Sequence, residues 1–295
     1  MTFAEKLKTI RKQANLSQEQ LAEKLGVSRQ AITKWETDMG IPDIENIMAI
    51  SELFHISVDE LLSSKLMEKK SDDFLFESVT EYDIAELKHY DMKLGGAKKL
   101  CISGYNGEKI HIRLASNTLT TLQSDFKIKI DDVKKRIDID LHRKKDITEA
   151  NAKEALSIFI QMPLSYIGRI ECAINADEIV LKDLDCNHIE LDVKSSNIYL
   201  QEVKGNVEIN SNLDMNIECK SLNGAVAINQ ISATSRITIP DNVEFMTIKK
   251  GIKTTLSFEK DGIPSKAFSM QKADNVIELN GIKSELVIST FHPKE

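Results

Sequence analysis

Ser28, Arg29, Gln30, Thr33 and Lys34 share one short stretch, and their types are those that read a nucleic-acid duplex. An arginine donates two parallel hydrogen bonds to guanine O6 and N7, and a glutamine amide pairs the same way with adenine N6 and N7. Ser28 has the chemistry of a helix N-cap, which places Arg29 and Gln30 in the exposed first turn. Thr33 and Lys34 lie one turn on and reach further bases or the flanking backbone. Upstream, Gln18 opens a separate segment, where a side-chain amide and unpaired backbone N–H groups suit a phosphate.

The elements that must hold these groups are legible around them. Phe3, Leu7, Ile10 and Ala14 form one helical stripe. Ser17 with Gln20 three residues later is a capping box for a helix over Gln18–Leu25, and Gly26 supplies a left-handed stop. Ser28 then caps Arg29–Glu36, with Ala31, Ile32 and Trp35 turned inward. After a loop at Gly40 and Pro42, Asp43 opens a helix with Ile44, Ile47, Ile50 and Phe54 on its apolar side, and Ser57 caps a last turn with Val58, Leu61 and Leu62. Five short helices are therefore expected, the middle pair arranged as a helix-turn-helix whose second member enters a major groove N-terminus first.

The runs LSQEQLAEKLGVSRQAITKWE and PDIENIMAISELFHISVDELL resemble the lambdoid-repressor-like, or XRE-type, DNA-binding domain over essentially all of residues 1–62. The resemblance implies a phosphate-clamping role for Gln18 and base-reading roles for Arg29, Gln30 and Lys34. It also implies a structural ion pair, Arg11 with Glu36, tying the first helix to the recognition helix. Relatives often carry a cation in the loop after Glu36; Asp38 stands there in this chain, which implies modest affinity per head and dependence on a dimer. Trp35 is read as core and His55 as a surface helix-end residue.

Net charge supports a local reading face over a nonspecific coat. The chain of 295 residues carries 39 Lys and Arg against 46 Asp and Glu, a formal charge of −7, whereas nonspecific coating depends on many cation–phosphate contacts. Residues 1–66 hold eight cations and ten anions, so a binding face there requires segregation of charge. The N-terminal stretch MTFAEKLKTIRKQA has no apolar core of a signal peptide, and no run approaches the roughly 18 apolar residues of a membrane span. A cytoplasmic protein without membrane contact is expected.

Residues 67–94 read as a polar linker with one short helix near Tyr82–His89. From residue 95 the pattern alternates, as in Lys109–Leu114, Phe126–Ile130 and Ile137–Leu141. A repeat follows. Segments beginning at Ile170, Ile189, Val207 and Val226 start 19, 18 and 19 residues apart, and a second set beginning at Ile179, Ile198, Ile217 and Ile237 starts 19, 19 and 20 apart. Two short strands per rung predict a β-solenoid over 95–295, with 95–165 and the strands after Pro240 as caps; a meander or sandwich is the alternative. The rungs resemble the adhesin-type β-solenoid domain of bacterial proteins, a resemblance that implies a fold and little chemistry. The fold class is thus α + β multidomain: a five-helix bundle over 1–66 and an all-β region.

No catalytic motif, cofactor signature or paired metal-ligand spacing stands out. His188, Glu190 and Asp192 alternate onto one outward face and are read as solvated in preference to a metal site. Cys172, Cys186 and Cys219 fall on rung strands, where packing is the first reading and redox sensing the second. The expected function is a non-enzymatic regulator, a repressor by family habit, whose double-stranded DNA target is palindromic and is read by a homodimer. The β region would self-associate or sense a protein or small-molecule ligand. The alternative is a protein-interaction scaffold in which DNA binding is secondary.

Overall fold

In a computed structural model, residues 3–13, 16–37, 39–54, 58, 74–260 and 262–292 are described. The chain divides into two compact units, Met1–Asp73 and Phe74–Glu295.

Serine and glycine punctuation sets the helices of the first unit: α1 (Phe3–Gln13), α2 (Gln18–Leu25), α3 (Arg29–Glu36) and α4 (Ile44–Phe54). Their apolar faces meet in a core where Leu7, Leu21, Ile32 and Ile50 are fully buried and Trp35 and Ile47 nearly so. Each such side chain contributes about 2 kcal/mol before the entropy of ordering is set against it. Four helices, not five, are described in this unit. Of the expected last turn only Val58 is described, in helical conformation and packed on this core, while His55, Ser57, Leu61 and Leu62 lie outside the described residues. Ile44 was expected inside but is 75% exposed. It stands in the first turn of α4 beside the loop, above the level at which Ile47 and Ile50 enter the core.

The second unit begins earlier than the sequence pattern suggests. The expected helix near Tyr82–His89 is instead β1 (Phe76–Asp83) and the start of β2 (Lys88–Tyr105). β1 pairs antiparallel with β3 (Lys109–Ser116), Tyr82 opposite Ile110. Its polar composition hides a strict half-buried/exposed alternation, which pairing with β3 converts into an edge strand. The strands β4 (Phe126–Val133), β5 (Arg136–Arg143) and β6 (Ser157–Pro163) complete this end, with a short helix α5 (Leu122–Asp125) before β4 and another, α6 (Glu149–Ala155), between β5 and β6.

Beyond them lie β7 (Ile167–Lys194), β8 (Asn197–Asn210), β9 (Asn216–Cys219), β10 (Asn223–Ile231), β11 (Thr234–Pro240), β12 (Met246–Ile252), β13 (Thr255–Lys260), β14 (Ile263–Ser265), β15 (Val276–Ile282) and β16 (Glu285–Phe291). These strands pair in parallel, except β14, which turns back antiparallel on β13. One inward column passes in register through Ile158, Leu100, Ile179, Ile198, Ile217, Ile237 and Ile288. A second passes through Leu191, Ile209, Ile228 and Leu279. Every residue of both columns is buried, so each rung covers the apolar face of the next.

Of the strands after Pro240 expected to cap the stack, β12 and β13 do lie outermost, whereas the last two strands in sequence do not. β15 inserts between β10 and β12, and β16 between β11 and β13. The last rung in sequence is therefore interior, and 246–260 supplies the outer one. Gly205 and Gly224 stack in register at one corner with φ of 116° and 126°. A Cβ on Gly224 would collide with the Gly205 carbonyl oxygen, so this corner admits only glycine.

Candidate nucleic-acid interface

Two caps and one glycine fix the angle between α2 and α3. Ser17 Oγ accepts from the Gln20 N–H at 3.1 Å, and Gln20 Oε1 accepts from the Ser17 N–H at 2.8 Å. Gly26 ends α2 at φ 67°, with the Val27 N–H returning to the Ala22 carbonyl at 3.0 Å. Ser28 Oγ then accepts from the Ala31 N–H at 3.2 Å and starts α3.

With Ile32 and Trp35 committed to the core, the helical period turns Arg29, Gln30, Thr33 and Lys34 outward, and all four are exposed along with Ser28. The five residues named from sequence thus share the outer side of α3 and its cap. Arg29 Nε lies 3.8 Å from Glu19 Oε2 with both side chains well exposed; such a pair is weak and easily exchanged for another anion. Asp38 lies outside the described residues.

Beneath this face is a polar network. Arg11 Nε and Nη2 donate to the two oxygens of Glu36 at 2.5 and 2.9 Å, and Arg11 Nη1 donates to the Leu16 carbonyl at 2.7 Å. Gln18 Nε2 donates to Glu36 Oε2 at 2.8 Å, and the Thr33 hydroxyl donates to Gln18 Oε1 at 3.2 Å and to the Arg29 carbonyl at 3.0 Å. Burial pushes the Glu36 carboxyl upward, but the hydrogen bonds from Arg11 and Gln18 outweigh it and hold the group below the usual carboxylate range. The same hydrogen bond to Glu36 raises the Arg11 guanidinium. The ends of α1, α2 and α3 therefore meet on one buried carboxylate. The links from Gln18 to Glu36 and from Thr33 to Gln18 were not foreseen. An amide opening α2 and a hydroxyl in mid-α3 carry no sequence mark that distinguishes a network from two surface groups.

In the second unit, His188 Nε2 stands 3.8 Å from Glu190 and 3.9 Å from Glu208, while Arg169 Nη2 donates to Glu190 at 2.7 Å. Asp192 accepts from Asn210 Nδ2 at 2.7 Å. Among the described residues no group of three His, Cys, Asp or Glu converges as metal ligands. Cys172 and Cys219 are buried, and desolvation pushes both thiols up to about 12. Burial raises Cys186 as well, partly offset by backbone hydrogen bonds. These environments suit packing and oppose thiolate chemistry.

Residues 7–61 match the helix-turn-helix family profile. The transcriptional activator BcrR of Enterococcus faecalis is 52% identical over 65 residues, 22% of this chain and 32% of BcrR. The transcriptional regulator ImmR of Bacillus subtilis is 31% identical over 94 residues, 32% of this chain and 74% of ImmR. The chain belongs to the XRE-type helix-turn-helix family. This XRE-type chain spans about a third of the length of BcrR. A crystal structure of a candidate cell-adhesion protein from Clostridium sporogenes aligns with 73% of the XRE-type chain and 99% of its own, at 14% identity and a TM-score of 0.40. No helix among the described residues is long and apolar enough to cross a membrane.

Proposed function

We propose that this protein is a sequence-specific DNA-binding transcription regulator, acting as a repressor. α3 enters the major groove, and Arg29, Gln30 and Lys34 meet base edges. Gln18 and Ser28 sit against phosphates at the starts of α2 and α3, and Thr33 steadies Gln18. The observation that carries this reading is the division of labour on α3. Every side chain suited to base contact is exposed on its outer side, while the opposite side is locked to the core and to the Arg11–Glu36 pair.

A head of this size contacts few phosphates, so two copies on an inverted repeat are needed for tight binding. Support for self-association comes from Met39, Ile41, Ile44 and Met48, which are 78%, 77%, 75% and 52% exposed around the α3–α4 loop and the first turns of α4. That much exposed apolar surface among the described residues of a small unit fits contact with a second copy. The β region is read as an open solenoid that senses a ligand or partner. Selection of bound duplexes from random DNA by the full chain tests the reading. An inverted repeat with half-sites about 10 base pairs apart, or a multiple, is expected; enrichment of no motif contradicts it.

A further inference from the structure

One face of the β region opens into a groove of about 990 Å³. Along its wall the chain changes character from rung to rung. Lys194 and Asn212 stand at one end, and Ile231, Ile282 and Ile252 follow, the isoleucines in direct register on β10, β15 and β12. The three isoleucines are 52%, 44% and 65% exposed, with Leu213 beside them at 43%. Strands lie about 4.8 Å apart, so the aliphatic stripe is about 10 Å long and Lys194 stands about 19 Å from Ile252. The floor is an amide ladder in which Asn229 Nδ2 donates to Asn210 Oδ1 at 2.7 Å.

At its polar end the groove shares Lys93, Gly95 and Glu149 with a second cavity of about 460 Å³, which Arg143, Lys144 and Lys145 also line. Lys144 is held by Asp125 at 3.1 Å. Lys93, Arg143, Lys145 and Lys194 have no ion-pair partner among the described residues. Two carboxylates line the groove, and both are already engaged by amides: Glu149, shared with the second cavity, accepts from Asn175 Nδ2 at 2.9 Å, and Asp192 accepts from Asn210 Nδ2 at 2.7 Å. In a chain of net charge −7, four cations without an ion pair among the described residues, at the polar end of a groove that carries an exposed aliphatic stripe, are two halves of one recognition chemistry.

We propose that the two cavities form a single site for a long-chain anionic amphiphile, with its carboxylate or phosphate head among Lys93, Lys194 and Arg143 and its alkyl tail along Ile231, Ile282 and Ile252. Such a ligand would occupy the sensing role given above to the β region. Binding is read without DNA, so this site stands or falls separately from the DNA-binding reading.

The test is calorimetric titration of the full chain with dodecyl phosphate below its critical micelle concentration. Dodecanol, inorganic phosphate and anionic phosphatidylglycerol vesicles form the comparison arms. Saturable one-to-one binding of dodecyl phosphate is expected, with dodecanol and inorganic phosphate each weaker by about tenfold or more, because the site draws on both buried methylenes and charge. Octyl phosphate should bind more weakly than dodecyl phosphate. The pairs Ile231→Asn with Ile282→Asn and Lys93→Gln with Lys194→Gln should each lower dodecyl phosphate affinity by about tenfold. All four side chains reach solvent, and an unchanged circular dichroism melt verifies the fold. Dodecanol binding as tightly as dodecyl phosphate would overturn the proposal, as would inorganic phosphate doing so. Binding to vesicles alone, equal affinity in both double variants, or no binding would overturn it too.

Discussion

Gln18 Nε2 donates to Glu36 Oε2 at 2.8 Å, so the side chain read as a phosphate clamp is also a fastener of the recognition helix. One amide hydrogen serves the buried carboxylate, and the other is the one that the proposed phosphate contact would use. The clamp is thereby oriented before any ligand arrives, which reduces the ordering cost of binding.

Breaking the pair beneath it should unfold the head first. The Arg11 and Glu36 side chains are 10% and 1% exposed, and removing one partner of a buried pair typically costs about 3 kcal/mol or more. Arg11→Ala should lower the unfolding free energy read from urea titration of Trp35 fluorescence by about that amount. Trp35 is the single tryptophan and lies in the head core, so the signal reports this unit alone. The β-strand circular dichroism transition should be unchanged.

Acid should act through the same carboxylate. Glu36 is held below its usual range in the folded state, so its contribution is complete above the unfolded carboxylate pKa and is lost as pH falls through the lower folded value. Head stability followed through Trp35 should decline as pH falls below about 4.5, and the decline should be shallower in Glu36→Gln. That variant should also be less stable than the parent at pH 7, because Arg11 loses its counter-ion.

Arg29 and Lys34 should separate base reading from charge. Arg29→Ala is expected to cost about 1–3 kcal/mol on the selected operator and to relax preference at one base position. If Lys34 meets a base as proposed, Lys34→Ala should also change preference. A uniform loss with a salt slope reduced by about one would instead place it on phosphate. Fluorescence anisotropy across a salt series distinguishes these.

The rung geometry makes its own demand. Gly224→Ala places a methyl group against the Gly205 carbonyl oxygen at a φ of 126°. It should lower the thermal midpoint of the β region by several degrees, as a loss of about 2 kcal/mol would, with no change in the head.

Charge introduced on the loop-side apolar surface tests self-association. Ile44→Lys with Met48→Lys should leave the head folded, since both side chains are more than half exposed. It should shift sedimentation of the full chain toward the monomer at micromolar concentration and weaken operator binding. An unchanged mass would assign the dimer contact elsewhere.

The head was legible because its instructions are local. The capping box at Ser17, the left-handed Gly26 and the cap at Ser28 each act within four residues, and together they specify where Arg29 and Lys34 point. The parallel rungs were legible through the spacing of Ile179, Ile198, Ile217 and Ile237, which stack in register. What escaped was set by partners distant in sequence. β1 is a strand because β3 lies beside it, although its own composition reads as linker. The insertion of β15 between β10 and β12 reverses the order of the last rungs, and strand-by-strand periodicity carries no order. The stripe of Ile231, Ile282 and Ile252 exists only through that insertion.

Sequence reading is assigned above to the outer side of α3. Selection from random duplexes with the full chain, run beside an Arg29→Ala/Lys34→Ala variant whose fold is verified through Trp35, tests it most directly. A palindromic motif that is enriched by the parent and lost in the variant is the predicted result. Enrichment of the same motif by both proteins would contradict it.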